Sequence, residues 1–306
     1  MSARMTWRSL LGRSLLAGLA LAMGLGLGAA MADEPLHEVY FHDLAKMRVG
    51  NMIIVQTNPE TEILVLNGGA LALENGNLIV VARRVRIDAD TVIKSFTVPI
   101  KPTKSDMPNQ AARGADGAKE GQDGGKGASG DSGVAGEDGA SAGKVVLRIG
   151  EVSGDGRLIV DLSGQSGGKG QQGGQGGDGG NGRNGPEGKC GAAAQKGGDG
   201  GWGGIGGQGG QGGRGGNGGI VVYSKAMTPL IRSKHFVIAT TAGEPGAGGD
   251  PGDSGNPGSG GIGGAGALGC GSVGADGAPG GRTTGAEPGP AGSPGGAGTA
   301  IEEETQ

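Results

Sequence analysis

The chain has 306 residues, of which 77 are Gly, whereas Gly makes up about 7% of an average protein. Three Phe, two Trp, two Tyr, three His and two Cys residues leave few side chains for a large globular core or a catalytic pocket. The formal net charge of −4 does not suit a nucleic-acid-binding protein, which would carry clustered Lys and Arg. The composition therefore argues against a conventional enzyme, and no catalytic residue or cofactor site is expected.

The first 32 residues have the features of a secretory signal peptide. Three arginines and no acidic residue precede an apolar stretch over residues 15–28, and Ala30 and Ala32 place small side chains before a cleavage site. The alternative is an uncleaved membrane anchor, but a bilayer span takes about 20 apolar residues. We expect cleavage after Ala32, no membrane span after signal removal, and Sec-type export to the cell surface or the medium, with the periplasm as an alternative.

Residues 33–100 have the pattern of a β-strand region. Short apolar runs alternate with polar or small residues, and turn-type sequences separate them, at Asn67-Gly68-Gly69, Asn75-Gly76-Asn77 and Asp88-Ala89-Asp90. The alternating apolar residues are Ile63, Val65, Leu71, Leu73, Leu78, Val80, Ala82, Val85, Ile87 and Val92. No helical period competes with this pattern, which fits a sandwich or a solenoid. Residues 101–113, with two prolines, are expected to form a polar joint.

Three glycine-rich segments follow, which we call arm 1 (114–143), arm 2 (164–219) and arm 3 (243–298). In arm 2, Gly recurs at every third residue from Gly164 to Gly218 with Ala194 as the one exception, and most triplets contain a second Gly. A flexible linker would be rich in Gly without a fixed register. A period of three is that of an extended polyproline II-type helix.

Helices with two Gly per triplet can pack side by side, because two of their three edges carry no side chain. Hydrogen bonds between neighbouring helices would then pair the backbone amides, and polar side chains would line the remaining edge. We therefore predict that the polyproline II-type arms pack as a bundle. Two alternatives stay open, a collagen-like trimer, which the seven prolines of arm 3 favour, and disorder.

Short apolar runs separate the arms. Residues 144–163 and 220–242 each contain alternating strands of the length expected in the first region. The simplest architecture is an all-β, short-strand solenoid, similar to a β-helix, whose strands stack around one core while the arms leave and return. Residues 299–306, with three consecutive glutamates, are expected to form an acidic tail.

The two cysteines lie near the midpoints of arms 2 and 3. If each arm is a hairpin, Cys190 and Cys270 lie near the outer tips, roughly 80 Å from the strands at about 3.1 Å per residue. In an exported protein such a pair is expected to be oxidised. We predict an intrachain disulfide that joins the two arms; unrelated thiols or a bond between chains are the alternatives.

Two resemblances rest on these patterns. The doubled-glycine triplets of arm 2 resemble those of the snow-flea antifreeze proteins, which implies a disulfide-tied bundle of polyproline II-type helices. The alternation of short strands, ending in Asp161-Leu162-Ser163-Gly164, with long glycine-rich arms is similar to bacterial secreted glycine-rich proteins often described as collagen-like. The first resemblance covers the arms alone and the second most of the mature chain.

Candidate metal ligands are few. His37 and His42, beside Glu38 and Asp43, could bind a metal ion, but they follow the cleavage site closely and no His or Cys pair completes a site. Residues 173–178 match the first six positions of a calcium-binding nonapeptide, yet no nine-residue repeat follows. We therefore expect no metal site.

Trp202 and Ile205 occupy the outward position of consecutive triplets on an otherwise polar ridge. They are expected either to pack against a neighbouring arm or to contact a sugar or a partner surface. The first functional hypothesis is a non-catalytic structural or adhesive surface protein that makes repeated polar contacts through rigid arms. Its partner would be an unidentified surface, polysaccharide or protein, and the chain would be a monomer. A collagen-like homotrimeric stalk and an ice-binding protein are the alternatives.

Overall fold

The computed structural model describes residues 36–41, 43, 48–101 and 110–304. The expected signal peptide and His42 lie outside the described residues. Ten β-strands and one short α-helix follow in chain order: β1 (His37–Tyr40), β2 (Arg48–Val49), β3 (Met52–Gln56), β4 (Glu62–Ala72), β5 (Asn77–Lys94), β6 (Lys144–Ser153), β7 (Leu158–Asp161), β8 (Ile220–Ser224), α1 (Thr228–Arg232), β9 (Phe236–Ala239) and β10 (Thr299–Glu303).

The strands form one sheet that winds around a common core. β3 and β4 make the first full turn, β5 the second, β6 and β7 the third, and β8, α1 and β9 the fourth. Each turn pairs in parallel with the next, and β10 adds a last strand to β8. Among the described strands, the pair of β2 and β3 is antiparallel. The predicted all-β solenoid is confirmed.

Aliphatic side chains from successive turns stack in columns inside the solenoid. Leu78, Val145 and Val221 are paired across β5, β6 and β8, and all three are fully buried. Because side chains alternate along a strand, every second residue of these strands faces the core while its neighbours face outward. Burial of such columns supplies the main apolar stabilisation of the solenoid.

At the start of β4, the residues in the core cluster are not the alternating apolar residues of the sequence pattern. Leu64 and Leu66 belong to the core cluster, whereas Ile63 and Val65 were expected to alternate with outward residues there. Val65 is buried on the opposite side of the strand. The sequence is apolar from residue 63 to 66, so its local pattern does not determine which residues face inward.

Two of the three expected turns lie inside strands. At the first, β4 bends with a register shift after Leu66, and Gly68 and Gly69 take φ values of +95° and +97°. At Asp88-Ala89-Asp90, β5 continues without a break. The strands are long because a solenoid corner can bend without ending the hydrogen-bonded ladder. The expected turn at Asn75-Gly76-Asn77 does separate β4 from β5, and the φ of Asn75 is +58°.

All three arms leave and return at one corner of the solenoid. The strand ends that precede the arms are paired in register, at Lys94, Asp161 and Ala239. The strand starts that follow the arms are also in register, at Lys144, Ile220 and Thr299. In the first turn, Ala72 pairs with Lys94, and residues 73–76 make the short connection that the arms replace in later turns. The arms are therefore stacked in the order of the turns.

Two segments differ from expectation. Residues 220–242, expected to contain strands alone, include α1 between β8 and β9, and its preceding turn buries Met227 completely in the core. Residues 299–303, expected within an acidic tail, form β10. Their side chains are mostly exposed, but their backbone groups pair with the free edge of β8, and Arg148 binds Glu303 across that strand at 2.9 Å.

Candidate functional site

Each arm is a hairpin of an outgoing and a returning extended helix. The outgoing helices span residues 110–121, 164–188 and 240–265, and the returning helices span 122–143, 195–219 and 274–298. Arm 1 thus begins before residue 114. Residues 101 and 111, expected in a polar joint, already donate their backbone N–H groups to arm 2, at Ser166 and Gln175. The joint is therefore part of the bundle wherever the structure describes it.

The three outgoing helices form one layer and the three returning helices form a second. Within a layer, the N–H of Gly164 donates to Thr241 O at 2.9 Å, and the same bond recurs at every third residue up to Gly188 and Ala265. The returning layer repeats this pattern from arm 2 to arm 3. We call the residue that donates this bond the lateral position. Its regular recurrence confirms the bundle of polyproline II-type arms.

The other two residues of each triplet have different roles. The residue after the lateral position donates its N–H across the layers, as Gly174 does to Asp131 O at 2.7 Å; this is the cross-layer position. The third residue directs its side chain to the outer surface, and its carbonyl oxygen accepts the lateral bond from the preceding arm. We call it the face position, and its side chains make the two outer faces of the bundle.

The solenoid explains why the arms need Gly. Neighbouring turns of a sheet lie about 4.8 Å apart, and arms that leave from successive turns start at that spacing. A Cβ built on Gly177 or Gly207 would lie less than 3.0 Å from a backbone oxygen of arm 1, at Ala112 or Asp131. Arm 2 has an arm on each side and carries two Gly per triplet. Arms 1 and 3 lie at the edges and mostly carry one.

Short polar side chains at face positions form ladders between neighbouring arms. Each accepts the backbone N–H of the face residue on the next helix in its layer, at 2.7–3.0 Å. The Asp and Asn pairs are Asp116 with Asn181, Asp123 with Asp199, Asp138 with Arg214, Asp178 with Asn256, Asn181 with Ser259, Asn184 with Ile262, Asp199 with Ala278 and Asn217 with Gly296. These side chains hold the arms together, a role that the sequence analysis did not assign to them.

The ladder also tunes two carboxyl groups. The backbone N–H of Asn181, followed by the guanidinium of Arg113, holds the pKa of Asp116 below its ordinary value. The ammonium of Lys196, followed by the N–H of Ala278, lowers the pKa of Asp199 in the same way. Both groups are therefore carboxylates at neutral pH, as acceptors of two hydrogen bonds should be.

The structure joins Cys190 and Cys270 in a disulfide at the tips of arms 2 and 3. Their Cα atoms are 5.4 Å apart, and both residues are exposed. Each cysteine lies in the turn of its hairpin, where the bonds between helices end. The bridge therefore fastens the two arms at the end opposite the solenoid.

Trp202 and Ile205 lie at face positions of the returning helix of arm 2, one triplet apart. The indole of Trp202 is 55% exposed and packs against Gly281 of arm 3, and Ile205 is half-buried. The register of the returning layer places Lys126 and Ser129 of arm 1 beside them. One side of the Trp202 indole therefore packs against arm 3. Its other side faces outward from the middle of the outer face of the returning layer, which we call the returning face.

The other candidate ligand residues of the sequence analysis either have a structural role or lack metal-binding partners in the described part of the chain. His37 lies in β1, and the described part of the chain contains no group of three or more His, Cys, Asp or Glu that could hold a metal ion. Residues 173–178 lie in the outgoing helix of arm 2, where Asp178 serves the ladder. Within the described residues, no helix is long and apolar enough to span a membrane.

The fold and these faces define a class of protein: a parallel β-solenoid with a polyproline II-type bundle built from insertions at one corner. No protein family model and no curated protein matches the chain. Among solved structures, it is similar to a springtail antifreeze protein from Granisotoma rainieri, described as a nine polyproline type II helical bundle whose crystal waters match the ice lattice. The identity is 28%, the match covers 56% of this chain and 94% of that one, and the TM-score is 0.09. A TM-score this low supports no conclusion about fold or function.

Proposed function

We propose that this chain is an exported, non-catalytic adhesive protein that holds a rigid binding face away from its solenoid. The observation that carries the proposal is the exposed indole of Trp202 in the middle of the returning face, with Ile205 one triplet away. An aromatic ring with polar neighbours combines an apolar surface with hydrogen-bonding groups, which suits the mixed surface of a polysaccharide. The other long side chains of this row, Gln208, Gln211 and Arg214, are exposed and extend the contact along the arm.

The rigidity of the bundle supports this function. The face residues are held by lateral bonds, cross-layer bonds and ladders, so a ligand would not have to order them on binding. The short Asp and Asn side chains at the face positions of arms 1 and 2 are engaged in the ladders. The longer side chains therefore make the repeated polar contacts in this proposal, which act together through multivalency.

Export is the second part of the proposal. The expected signal peptide at residues 1–32 would direct the chain out of the cytoplasm, and the disulfide between Cys190 and Cys270 suits an oxidising compartment. The surface of the cell or the medium would then be the place of action.

Binding to insoluble polysaccharides tests the function. The purified chain is sedimented with chitin, cellulose or bacterial peptidoglycan, and the bound fraction is measured against protein concentration. We expect binding to at least one of the three, and Trp202→Ala should weaken it by about tenfold, which corresponds to ~1.4 kcal/mol. Val134→Ala is the matched control, because Val134 is similarly exposed but lies on arm 1. Lack of binding to all three, or equal binding by the Trp202 variant, would reject the proposal.

The two alternatives predict other measurements. In a collagen-like trimer the Gly N–H groups donate to other chains, whereas here those of arm 3, such as Gly246, donate to arm 2 of the same chain, which supports a monomer. Ice binding predicts thermal hysteresis and calls for a flat row of small side chains. The central row of the returning face carries Trp202 and Gln208 instead, which supports the adhesive function.

A further inference from the structure

The returning helix of arm 3 departs from the regular hydrogen-bond pattern at its middle. Gly280 and Gly289 donate their N–H groups across the layers at 2.9 Å, as their cross-layer positions require. Thr283 and Ala286 occupy the two cross-layer positions between them, and neither donates such a bond to a described residue. We call residues 282–286 the bulge.

The side chains at the two cross-layer positions account for the bulge. A Cβ built on Gly280 or Gly289 would lie 1.9 Å or 2.0 Å from a backbone oxygen of arm 2, so this position of arm 3 has room for Gly alone. Because Thr283 and Ala286 carry a Cβ there, the helix bends away from arm 2. Gly285, between the two, takes a φ of +137°, which residues with a Cβ rarely adopt.

The bulge leaves three backbone groups of the neighbouring helices without a partner. The N–H groups of Gly203 and Gly209 in arm 2 donate to arm 3, but that of Gly206, between them, donates to no described residue. Beneath the bulge, the carbonyl oxygens of Gly252 and Gly255 accept no hydrogen bond from a described residue. All three glycines are buried. Buried backbone groups are nearly always paired, so unpaired ones point to a ligand.

The outer part of the bulge is loosely held. Thr283 is fixed, because its hydroxyl donates to Gly203 O at 2.7 Å and its carbonyl oxygen accepts the hydroxyl of Ser254. Residues 284–286 make no hydrogen bond to another described residue, and the first two of them are exposed. These residues can therefore move outward without breaking a hydrogen bond, which gives access to the N–H of Gly206.

The bulge lies beside the exposed aromatic ring of the returning face. Trp202 packs against Gly281, directly before the bulge, and Ile205 has the face position that precedes Gly206. A half-buried apolar side chain and an unpaired N–H group are thus adjacent in the chain, one triplet from the indole. The acetamido group of an amino sugar has the complementary parts, since its methyl group is bonded to a carbonyl whose oxygen accepts an N–H.

We propose that the bulge is a subsite for the acetamido group of a polysaccharide whose sugar ring stacks on Trp202. The methyl group packs on Ile205, the acetamido oxygen accepts the N–H of Gly206, and a donor group of the same sugar pairs with the carbonyl oxygen of Gly252 or Gly255. This inference rests on the proposed function and narrows its ligand to N-acetylated polysaccharides, such as chitin and the glycan of peptidoglycan. Cellulose carries a hydroxyl group in place of each acetamido group and should bind less tightly.

Chitin and cellulose are a matched pair of probes, because their sugar units differ only in the acetamido group. The unaltered chain should bind chitin about tenfold more tightly than cellulose, the effect of one or two hydrogen bonds. Chitotetraose should also slow the amide exchange of Gly206, measured by NMR, whereas cellotetraose should not. The N–H of Gly203 is bonded to Gly281 O, so its exchange should respond to neither sugar.

A double variant should close the subsite. Thr283→Gly with Ala286→Gly removes both Cβ atoms, so the helix should straighten and pair with arm 2. The amide exchange of Gly206 should then be slow without a sugar, and binding to chitin should fall to the level of binding to cellulose. The control is Ala275→Gly with Ala278→Gly, two exposed face positions of the same helix outside the bulge. It should bind chitin like the unaltered chain.

The outcomes separate this inference from the proposed function. Equal binding to chitin and cellulose that depends on Trp202 would overturn the subsite and leave the adhesive function in place. A double variant with slow exchange at Gly206 that still prefers chitin would overturn it too. So would unchanged exchange at Gly206 in that variant, because the bulge would then have another cause. Lack of binding to chitin, cellulose and peptidoglycan would reject the proposed function, and the subsite with it.

Discussion

The indole of Trp202 covers Gly281 on the neighbouring arm: a Cβ built on that glycine would come within 2.6 Å of the ring. Gly281 has a face position in arm 3, so its lack of a side chain is needed to seat the indole. The half-exposed orientation of Trp202 is therefore set by a residue of another arm, and a side chain at residue 281 should change it.

Gly281→Val should push the indole away from arm 3 and into solvent. In a chain that begins after the expected signal peptide, Trp202 is the one tryptophan, because the other, Trp7, lies within residues 1–32. The expected result is a red shift of the fluorescence emission and stronger quenching by acrylamide. Gly296→Val is the control, since a Cβ there meets only Asn217, at 3.4 Å. Unchanged emission from the Gly281 variant would contradict the packing described above.

Substitution of a buried Gly in arm 2 should destabilise the bundle. A Cβ on Gly207 would overlap the backbone oxygen of Asp131, which is fixed by its own bond to Gly174. Gly207→Ala is therefore expected to lower the free energy of unfolding by about 1–3 kcal/mol, the usual cost of overpacking. Chemical denaturation measures this loss.

Gly296→Ala is the matched control in arm 3. Its φ is not positive and its surroundings are open, so Ala should leave stability unchanged or raise it by up to about 1 kcal/mol through the unfolded state. Equal losses in the two variants would mean that the Gly requirement comes from backbone flexibility and not from the close approach of the helices.

Local periodicity is what the sequence conveys well. The alternation through Leu78, Val80 and Ala82 and the recurrence of Gly in arm 2 each repeat over several residues, and they predicted the solenoid and the bundle. In the fully apolar run 63–66 the periodicity is ambiguous, and Leu64 and Leu66 belong to the core cluster although the alternation was assigned to Ile63 and Val65. Thr299–Glu303 has the composition of a tail, and it forms a strand because β8 offers an edge at that point.

The ladder hydrogen bonds could not be predicted from the local sequence pattern. The bond from the N–H of Asn181 to Asp116 joins residues 65 positions apart, and its partner depends on the register between two helices. That register is set by the corner of the solenoid from which the arms leave. The sequence identifies Asp116 as a polar outward residue, but its bond to Asn181 becomes evident only in the folded bundle. Trp202 is similar, since its contact with Gly281 depends on the same kind of register.

Loss of the disulfide should loosen the arm tips. Cys190 and Cys270 are 80 residues apart in sequence, and closure of a loop of this size is expected to contribute about 2–4 kcal/mol. The double variant Cys190→Ser, Cys270→Ser should unfold at a lower temperature, and amide exchange should increase most in the two hairpin turns. Reductant should lower the melting temperature of the unaltered chain and leave the double variant unaffected. If reductant also lowered the melting temperature of the double variant, the effect of reductant could not be attributed to this disulfide.

Acid should weaken the bundle through its ladder carboxylates. The pKa of Asp199 is lowered in the folded chain, so its stabilising contribution is complete above the unfolded value of about 3.8 and is lost as the pH falls through the lower folded value. Asp116 has the same sign. The urea midpoint should therefore be nearly constant above pH 5 and fall at lower pH, in the window that starts at about 3.8.

Asp199→Asn separates charge from hydrogen bonding in this response. The amide oxygen can still accept the N–H of Ala278, while the ion pair with Lys196, now 2.6 Å long, is lost and residue 199 no longer titrates. The variant should be less stable at pH 7 and lose less stability on acidification. Gln211→Ala, which removes an uncharged exposed side chain from the same row, should shift the urea midpoint equally at every pH. An acid response of Asp199→Asn equal to that of the unaltered chain would show that Asp199 does not contribute to it.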